Sequence, residues 1–218
     1  MSGKAGKGIE RMLKLRMADI KDRSELKITD HDRQRCLSPG GWLNDEIINK
    51  QSALALIASK KSDMFIVSSL VTAGIATGRA NDEWAPKSGI DFCHGSVKML
   101  LMPVNVENTH WVLFVVNMKR NILVILDPQN KLSGYKKKTT QIATAVTAYI
   151  DTQRAALNCL REPMTIGQFN DIPAQTNGYD CGMYVLMYIN EILAGAALHP
   201  VKIQKEIDKQ RKAMLKEI

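Results

Sequence analysis

Residues 110–127 read HWVLFVVNMKRNILVILD, from His110 to Asp127. Two apolar, β-branched runs, residues 111–116 and 121–126, flank the polar, turn-like Asn117-Met118-Lys119-Arg120. This pattern predicts a β-hairpin with a four-residue loop. If Val116 pairs with Asn121, His110 and Asp127 stand directly opposite each other, with Cβ atoms about 4.5–5.5 Å apart on one face. An imidazole and a carboxylate at that separation can hydrogen-bond. The carboxylate then fixes the ring tautomer and stabilises the imidazolium. The same residues also suit a hairpin that merely ends in polar groups. Register decides between the two, because a slip of one residue turns Asp127 to the other face.

Residues 173–193 read PAQTNGYDCGMYVLMYINEIL. Asn177-Gly178 is a turn signal. From Cys181 onward, Tyr184, Val185, Leu186, Met187, Ile189, Ile192 and Leu193 predict a strongly apolar helix with Cys181 at its N-terminus. There the helix dipole and unpaired backbone N–H groups favour an anionic sulfur. A His to take the proton and an Asp behind it complete an activated nucleophile. Gly182 lets a substrate backbone come close. Gln175 lies on the approach to Cys181. Its side-chain amide can donate to the oxyanion of a tetrahedral intermediate, beside the Cys181 N–H. Taken alone, Gln175 also fits an ordinary loop residue, and Cys181 a small buried hydrophobe at a helix start.

Around these segments lies an ordinary domain composition. The chain has 218 residues, 45% hydrophobic and 24% charged. That excludes a disordered tail, a collagen and a disulfide-rich miniprotein, and it supports one real core. A single domain over residues 1–218 is expected, with residues 1–8 flexible. Thirty Lys and Arg against 22 Asp and Glu give a net charge of +8, which favours acidic partners: nucleic acid, an anionic membrane or an acidic protein surface. The basic residues are spread out, so nucleic acid is not favoured. Lys136-Lys137-Lys138 reads as a solvated loop before a helix capped by Thr139 or Thr140.

Ile9, Met12, Leu13, Met17 and Ile20 recur at helical spacing and predict an N-terminal amphipathic helix. Pro39-Gly40-Gly41 is a turn, and Asn44 or Asp45 caps a helix running from Glu46 to about residue 59. Residues 65–71 and 99–104 have strand character, and the chain from Val201 is charged and helical. This succession predicts a mixed α+β domain.

The four cysteines, Cys36, Cys93, Cys159 and Cys181, form no C-x-x-C pair, which argues against a zinc ribbon or redox motif. Cys93-His94 lacks a second ligand pair, so no metal and no cofactor are expected. The N-terminus has no apolar stretch of the secretory kind, and the apolar region 64–77 is too short to span a bilayer. An intracellular, reduced protein is expected. Cys36 and Cys159 read as buried fillers, His31 and His199 as exposed, and Trp84 as a packing anchor for a loop.

Trp42-Leu43-Asn44-Asp45, His110-Trp111, Asp127 closing the second strand, and Gln175 followed by Cys181-Gly182 together resemble the ubiquitin-like-modifier proteases, the SUMO/sentrin-specific cysteine peptidases and their relatives. The resemblance runs from about Trp42 to Ile192. It implies a papain-like cysteine protease fold, a mixed central sheet with the nucleophile at the N-terminus of a buried helix. It implies His110 as general base and acid, Asp127 as its orienter, Cys181 as nucleophile and Gln175 as oxyanion donor. Trp111 becomes a lid over the modifier tail, and Trp42 helps form the same narrow channel. A slot between flat indole faces admits a backbone without Cβ atoms, which selects a Gly-Gly tail. Without the family context, both tryptophans read as core packing. Asp45 either contacts a basic residue of the modifier or caps its helix, and capping is the reading favoured. Pro128 stands where relatives often carry a small polar residue, and residues 50–100 show little likeness to the SUMO proteases.

The leading expectation is a thiol protease that cleaves after the Gly-Gly of a ubiquitin-like modifier, SUMO-type favoured. It would act as an isopeptidase and in precursor processing, as a monomer in cytoplasm or nucleus, a host cell's if the source is viral or bacterial. Within the same clan stand a deubiquitinase or deneddylase, a viral polyprotein protease, and an acetyltransferase using the same three residue types. A basic, non-enzymatic module binding nucleic acid or protein is the alternative outside the clan.

Overall fold

The computed structural model describes residues 2–79, 84, 90, 92–93, 95–129, 134–159, 161–198 and 204–217. His94 and His199 lie outside the described residues. The described elements are α1 (Ser2–Ser24), α2 (Asp30–Leu37), α3 (Asp45–Ser59), β1 (Met64–Ile66), α4 (Ser69–Ala76), β2 (Met99–Val106), β3 (His110–Asn117), β4 (Ile122–Leu126), α5 (Lys136–Ala156), β5 (Thr165–Gln168), α6 (Cys181–Ala194) and α7 (Gln204–Glu217).

The predicted hairpin forms the middle of a five-stranded sheet in the order β1-β2-β3-β4-β5. Strands β2, β3 and β4 are antiparallel, while β1 and β5 join the edges in parallel. Residues 110–114 of β3 are all buried, so the strand carries no polar face. Helix α6 packs against β3 and α3, α5 lies against β4 and β5, and α4 lies against β2 and α5. One cluster of buried apolar side chains joins sheet and helices. The architecture is the α+β, papain-like one that the sequence leads to.

The register differs from the expectation by two residues. Val116 pairs with Leu123 and Asn117 with Ile122, so the loop is Met118 to Asn121. Turn chemistry explains the shift. Asn117 ends its strand by accepting the Arg120 N–H through Oδ1 at 2.9 Å, and Asn121 takes a left-handed φ of 55°. A shift of two keeps every side chain on its face, so His110 and Asp127 still share one.

Three boundaries also move. Residues 65–71 are not one strand: β1 ends at Ile66, and Ser68 caps α4 by accepting the Leu70 N–H. Lys136-Lys137-Lys138 are not a loop but the first turn of α5, so neither Thr139 nor Thr140 is a cap. Thr139 is buried inside the helix. Helix α2 was not anticipated, because only its last two residues, Cys36 and Leu37, are buried apolar ones.

Over its first nine residues, 181–189, helix α6 is apolar and buried all round. Met183, Tyr184, Val185, Met187, Tyr188 and Ile189 are at most 1% exposed. Each large apolar side chain so buried contributes about 1.5–3 kcal/mol. Gly195, at a φ of 72°, closes the helix with N–H bonds from Gly195 and Ala196 back to Ile192 and Glu191. That anchorage fixes where Cys181 sits. Cys36 is buried as expected, whereas Cys159 is only half-buried, just past the end of α5. Trp84 packs against the core and tilts onto Tyr149.

Candidate active site

His110 opens β3 and Asp127 follows the last residue of β4. Both are almost completely buried, and the His110 Nε2–H donates to Asp127 Oδ1 at 2.7 Å. Oδ1 also accepts the Gln129 N–H at 2.8 Å, so the turn through Pro128 helps to aim the carboxylate. The Pro128 carbonyl accepts the Gln175 N–H at 2.8 Å, which ties this turn to the loop ahead of Cys181.

Nδ1 of His110 has no hydrogen bond of ordinary geometry among the described residues, and it is the ring atom left for the thiol. Burial pulls the His110 pKa down. The Asp127 hydrogen bond and charge, together with the nearby Cys181, outweigh burial and push it up to about 9. Tyr135, ahead of α5, stacks on the imidazole with ring centroids 4.9 Å apart and planes 16° apart. The sequence reading missed this contact, since nothing local connects Tyr135 to His110.

Cys181 is the first residue of α6 and is 2% exposed. Its approach loop is held from within. Asn177 Oδ1 accepts the N–H groups of Tyr179 and Asp180, and the Tyr188 hydroxyl donates to the Pro173 carbonyl. The Gln175 amide donates to the Asn177 carbonyl at 2.6 Å. An amide has two N–H donors, so one remains for a substrate oxygen.

Asp180 occupies the N-cap position but makes no side-chain cap hydrogen bond. Its carboxylate is bound instead by Arg211 of α7, by Asn177 at 2.7 Å and by Gln204. Arg211 also went unnoticed in the sequence. The signal was there: Ile207, Arg211 and Met214 form the buried stripe of α7, and Arg211 is the charge upon it.

The remaining predicted residues are placed as follows. Trp42 is 44% exposed, which overturns the core-packing reading for it. Trp111 is buried, and its indole N–H donates to the Leu43 carbonyl at 2.9 Å. Asn44, not Asp45, caps α3, accepting the Ile47 N–H at 3.0 Å. Asp45 lies in the first turn, where its charge complements the helix dipole. Gly182 is buried, and a Cβ there would meet the Leu43 Cβ at 3.0 Å. Its small size therefore serves packing against Leu43.

Comparisons with known proteins bear on the family and the fold. Ubiquitin-like-specific protease ESD4 of Arabidopsis thaliana is 26% identical over 192 residues, covering 81% of this chain and 37% of that protein. Ubiquitin-like-specific protease 1A of the same plant is 29% identical over 174 residues, covering 72% and 32%. The chain thus spans about a third of the length of these two relatives. The crystal structure of the C-terminal Ulp1 protease domain in complex with Smt3, the yeast orthologue of SUMO, shares the fold. It has a TM-score of 0.71, 20% identity and coverage of 92% of this chain and 91% of that one. Residues 10–218 match the Ulp1 protease family, C-terminal catalytic domain, and with all but the first nine residues matched the chain belongs to that family.

Proposed function

We propose that the protein is a cysteine protease that cleaves after the C-terminal Gly-Gly of a ubiquitin-like modifier, SUMO-type favoured, releasing it from lysine side chains and from precursor tails. The observation that carries this reading is the buried His110–Asp127 pair, which orients the imidazole and leaves its Nδ1 without a hydrogen-bond partner among the described residues. The names of the relatives and the modifier bound in the Ulp1 structure support the substrate class.

The Cys181 Sγ gives its proton to His110 Nδ1 and attacks the terminal Gly carbonyl. The carbonyl oxygen becomes an oxyanion, received by the Cys181 N–H and the Gln175 amide. One such donor is worth about 2.7–4 kcal/mol of transition-state stabilisation. The intermediate collapses by breaking the C–N bond, and the imidazolium protonates the departing lysine amine. The resulting thioester is attacked by water, which loses a proton to His110. Collapse of the second intermediate releases the Gly carboxylate and restores the thiol.

Trp42, exposed beside Leu43, forms one wall of the channel for the tail. Trp111 braces that wall through the Leu43 carbonyl. Asp45 is a candidate contact for a basic residue of the modifier, since it does not cap its helix. All four cysteines are free thiols, which suits a reducing compartment, cytoplasm or nucleus.

The test is incubation with SUMO, ubiquitin and Rub/Nedd modifiers carrying an electrophilic C-terminus. A covalent adduct with SUMO on Cys181, absent from Cys181→Ala, is expected. An adduct with ubiquitin or Rub/Nedd alone would reassign the modifier, and acetyl transfer without peptidase activity would reverse the reading.

A further inference from the structure

An aspartate in the N-cap position ordinarily turns its carboxylate onto the first N–H groups of its helix. Asp180 does not do so, although α6 begins immediately after it. Its backbone, at φ −92° and ψ 5°, is not the extended one of the capping residues Thr29, Asn44 and Ser68, and its completely buried carboxylate instead accepts from the Arg211 guanidinium, itself 4% exposed, 31 residues along the chain. The same guanidinium donates to the carbonyls of Cys36 at 2.6 Å and Gly41 at 2.9 Å. Those carbonyls frame the Pro39-Gly40-Gly41 turn that leads into Trp42. Gly41 admits no side chain, since a Cβ would lie 2.4 Å from the Arg35 carbonyl oxygen. One side chain of the C-terminal helix therefore holds both the residue ahead of Cys181 and the turn ahead of the channel wall.

We propose that Arg211 is a positioning residue for catalysis. It neutralises the Asp180 carboxylate beside the N-terminus of α6, so that no bare negative charge opposes the anion that develops on the Cys181 sulfur and the oxyanion, and it holds the Trp42 turn in register with the nucleophile. The inference rests on Cys181 being the nucleophile of the proposed protease. Without Arg211, Asp180 is a buried anion held only by the neutral amides of Asn177 and Gln204. That charge stands one residue from Cys181, where it works against the helix dipole and against the negative charge that develops in the reaction.

The experiment compares wild type with Arg211→Met, Arg211→Lys and the double variant Arg211→Met/Asp180→Ala, each checked for folding by thermal melt. The readouts are adduct formation on Cys181 with an electrophilic SUMO probe, and kcat and KM on SUMO carrying a fluorogenic C-terminal amide. Arg211→Met should lose about tenfold or more in kcat, a share of the effect of losing an oxyanion donor, with little change in KM. Arg211→Lys, which keeps the charge but not the fork of donors, should fall between. The double variant should regain kcat over Arg211→Met, because Ala at position 180 carries no buried charge beside Cys181. A residue that merely glues α7 to the fold predicts the opposite, a double variant no faster than the single one. That result overturns the inference, as does a folded Arg211→Met or, should Met not fold, a folded Arg211→Lys, with wild-type kcat. Failure of wild type to label with any modifier would overturn the proposed protease itself, so the two failures are told apart.

Discussion

The His110 Nε2 and Asp127 Oδ1 are 2.7 Å apart, although the hairpin carrying them pairs two residues away from the register that sets them face to face. The ladder ends at Leu113 and Leu126, so both residues lie where the strands are released and can lean together across the diagonal. Asp127→Asn should therefore leave the fold intact and lower kcat strongly, on the order of 10⁴-fold, because an amide presents the wrong partner to the ring N–H. Steady-state kinetics beside a thermal melt check this, and turnover near wild type would remove Asp127 from the mechanism.

The direction of the His110 shift sets two pH dependences. Folding raises its pKa from 6.5 to about 9, so the folded protein holds this proton more tightly than the unfolded chain. The stability it contributes is complete below about pH 6.5 and is lost as pH rises through about 9. Denaturant titrations should show the gap between wild type and Asp127→Asn narrowing over that window. In the same variant, loss of the Asp127 hydrogen bond and charge should move the alkaline limb of kcat to lower pH. A limb that stays in place would mean His110 is not the group titrating.

Tyr135 covers the imidazole that the hairpin places. A stacked pair of this kind is worth about 0.5–1.5 kcal/mol, and it resists rotation of the ring away from Asp127. Tyr135→Phe keeps the stack and should stay close to wild-type turnover. Tyr135→Ala should lose up to about tenfold in kcat, the kinetic equivalent of about 1.4 kcal/mol. Equal rates in the two variants would show that the stack does not hold the ring.

Gly182 invites a substrate explanation in the sequence and receives a packing one in the structure. With the Leu43 Cβ, Cγ and Cδ1 within 3.0–3.2 Å of an added Cβ, Gly182→Ala overpacks the contact between the Trp42 segment and α6. Destabilisation of about 1–3 kcal/mol is expected. Leu43→Ala in the same chain should return part of it, and a double-mutant cycle measures the coupling.

What the sequence showed and what it hid divide along chain distance. The hairpin, the apolar helix after Cys181 and the Asn177-Gly178 turn are each encoded within about 20 residues, by periodicity and turn chemistry. The register slipped because Asn117 and Asn121 both compete for turn positions, and composition does not rank them. Residues 65–71 looked like one strand because an apolar run has no period until Ser68 breaks it as a cap. The Arg211–Asp180 pair, the Tyr135–His110 stack and the Trp111–Leu43 bond were invisible because each joins segments whose proximity only the completed fold creates. The family resemblance supplied Trp42 and Trp111 as candidates, and geometry then separated an exposed indole from a buried one.

That separation makes the last prediction. Trp42 is 44% exposed, so removing it opens no cavity, and Trp42→Ala should change stability by no more than about 0.5 kcal/mol. If it walls the channel for the Gly-Gly tail, kcat/KM on a SUMO substrate should still fall by about tenfold or more. Trp111→Phe should behave in the reverse way. It leaves the Leu43 carbonyl without its donor in a buried setting, a cost of about 1–3 kcal/mol in stability. Its kinetic loss should follow from displacement of Leu43 and Trp42, and so be smaller than that of Trp42→Ala. Melts and kinetics on the two variants together distinguish wall from brace. A Trp42→Ala protein with unchanged kcat/KM would leave the exposed indole without a role in the channel.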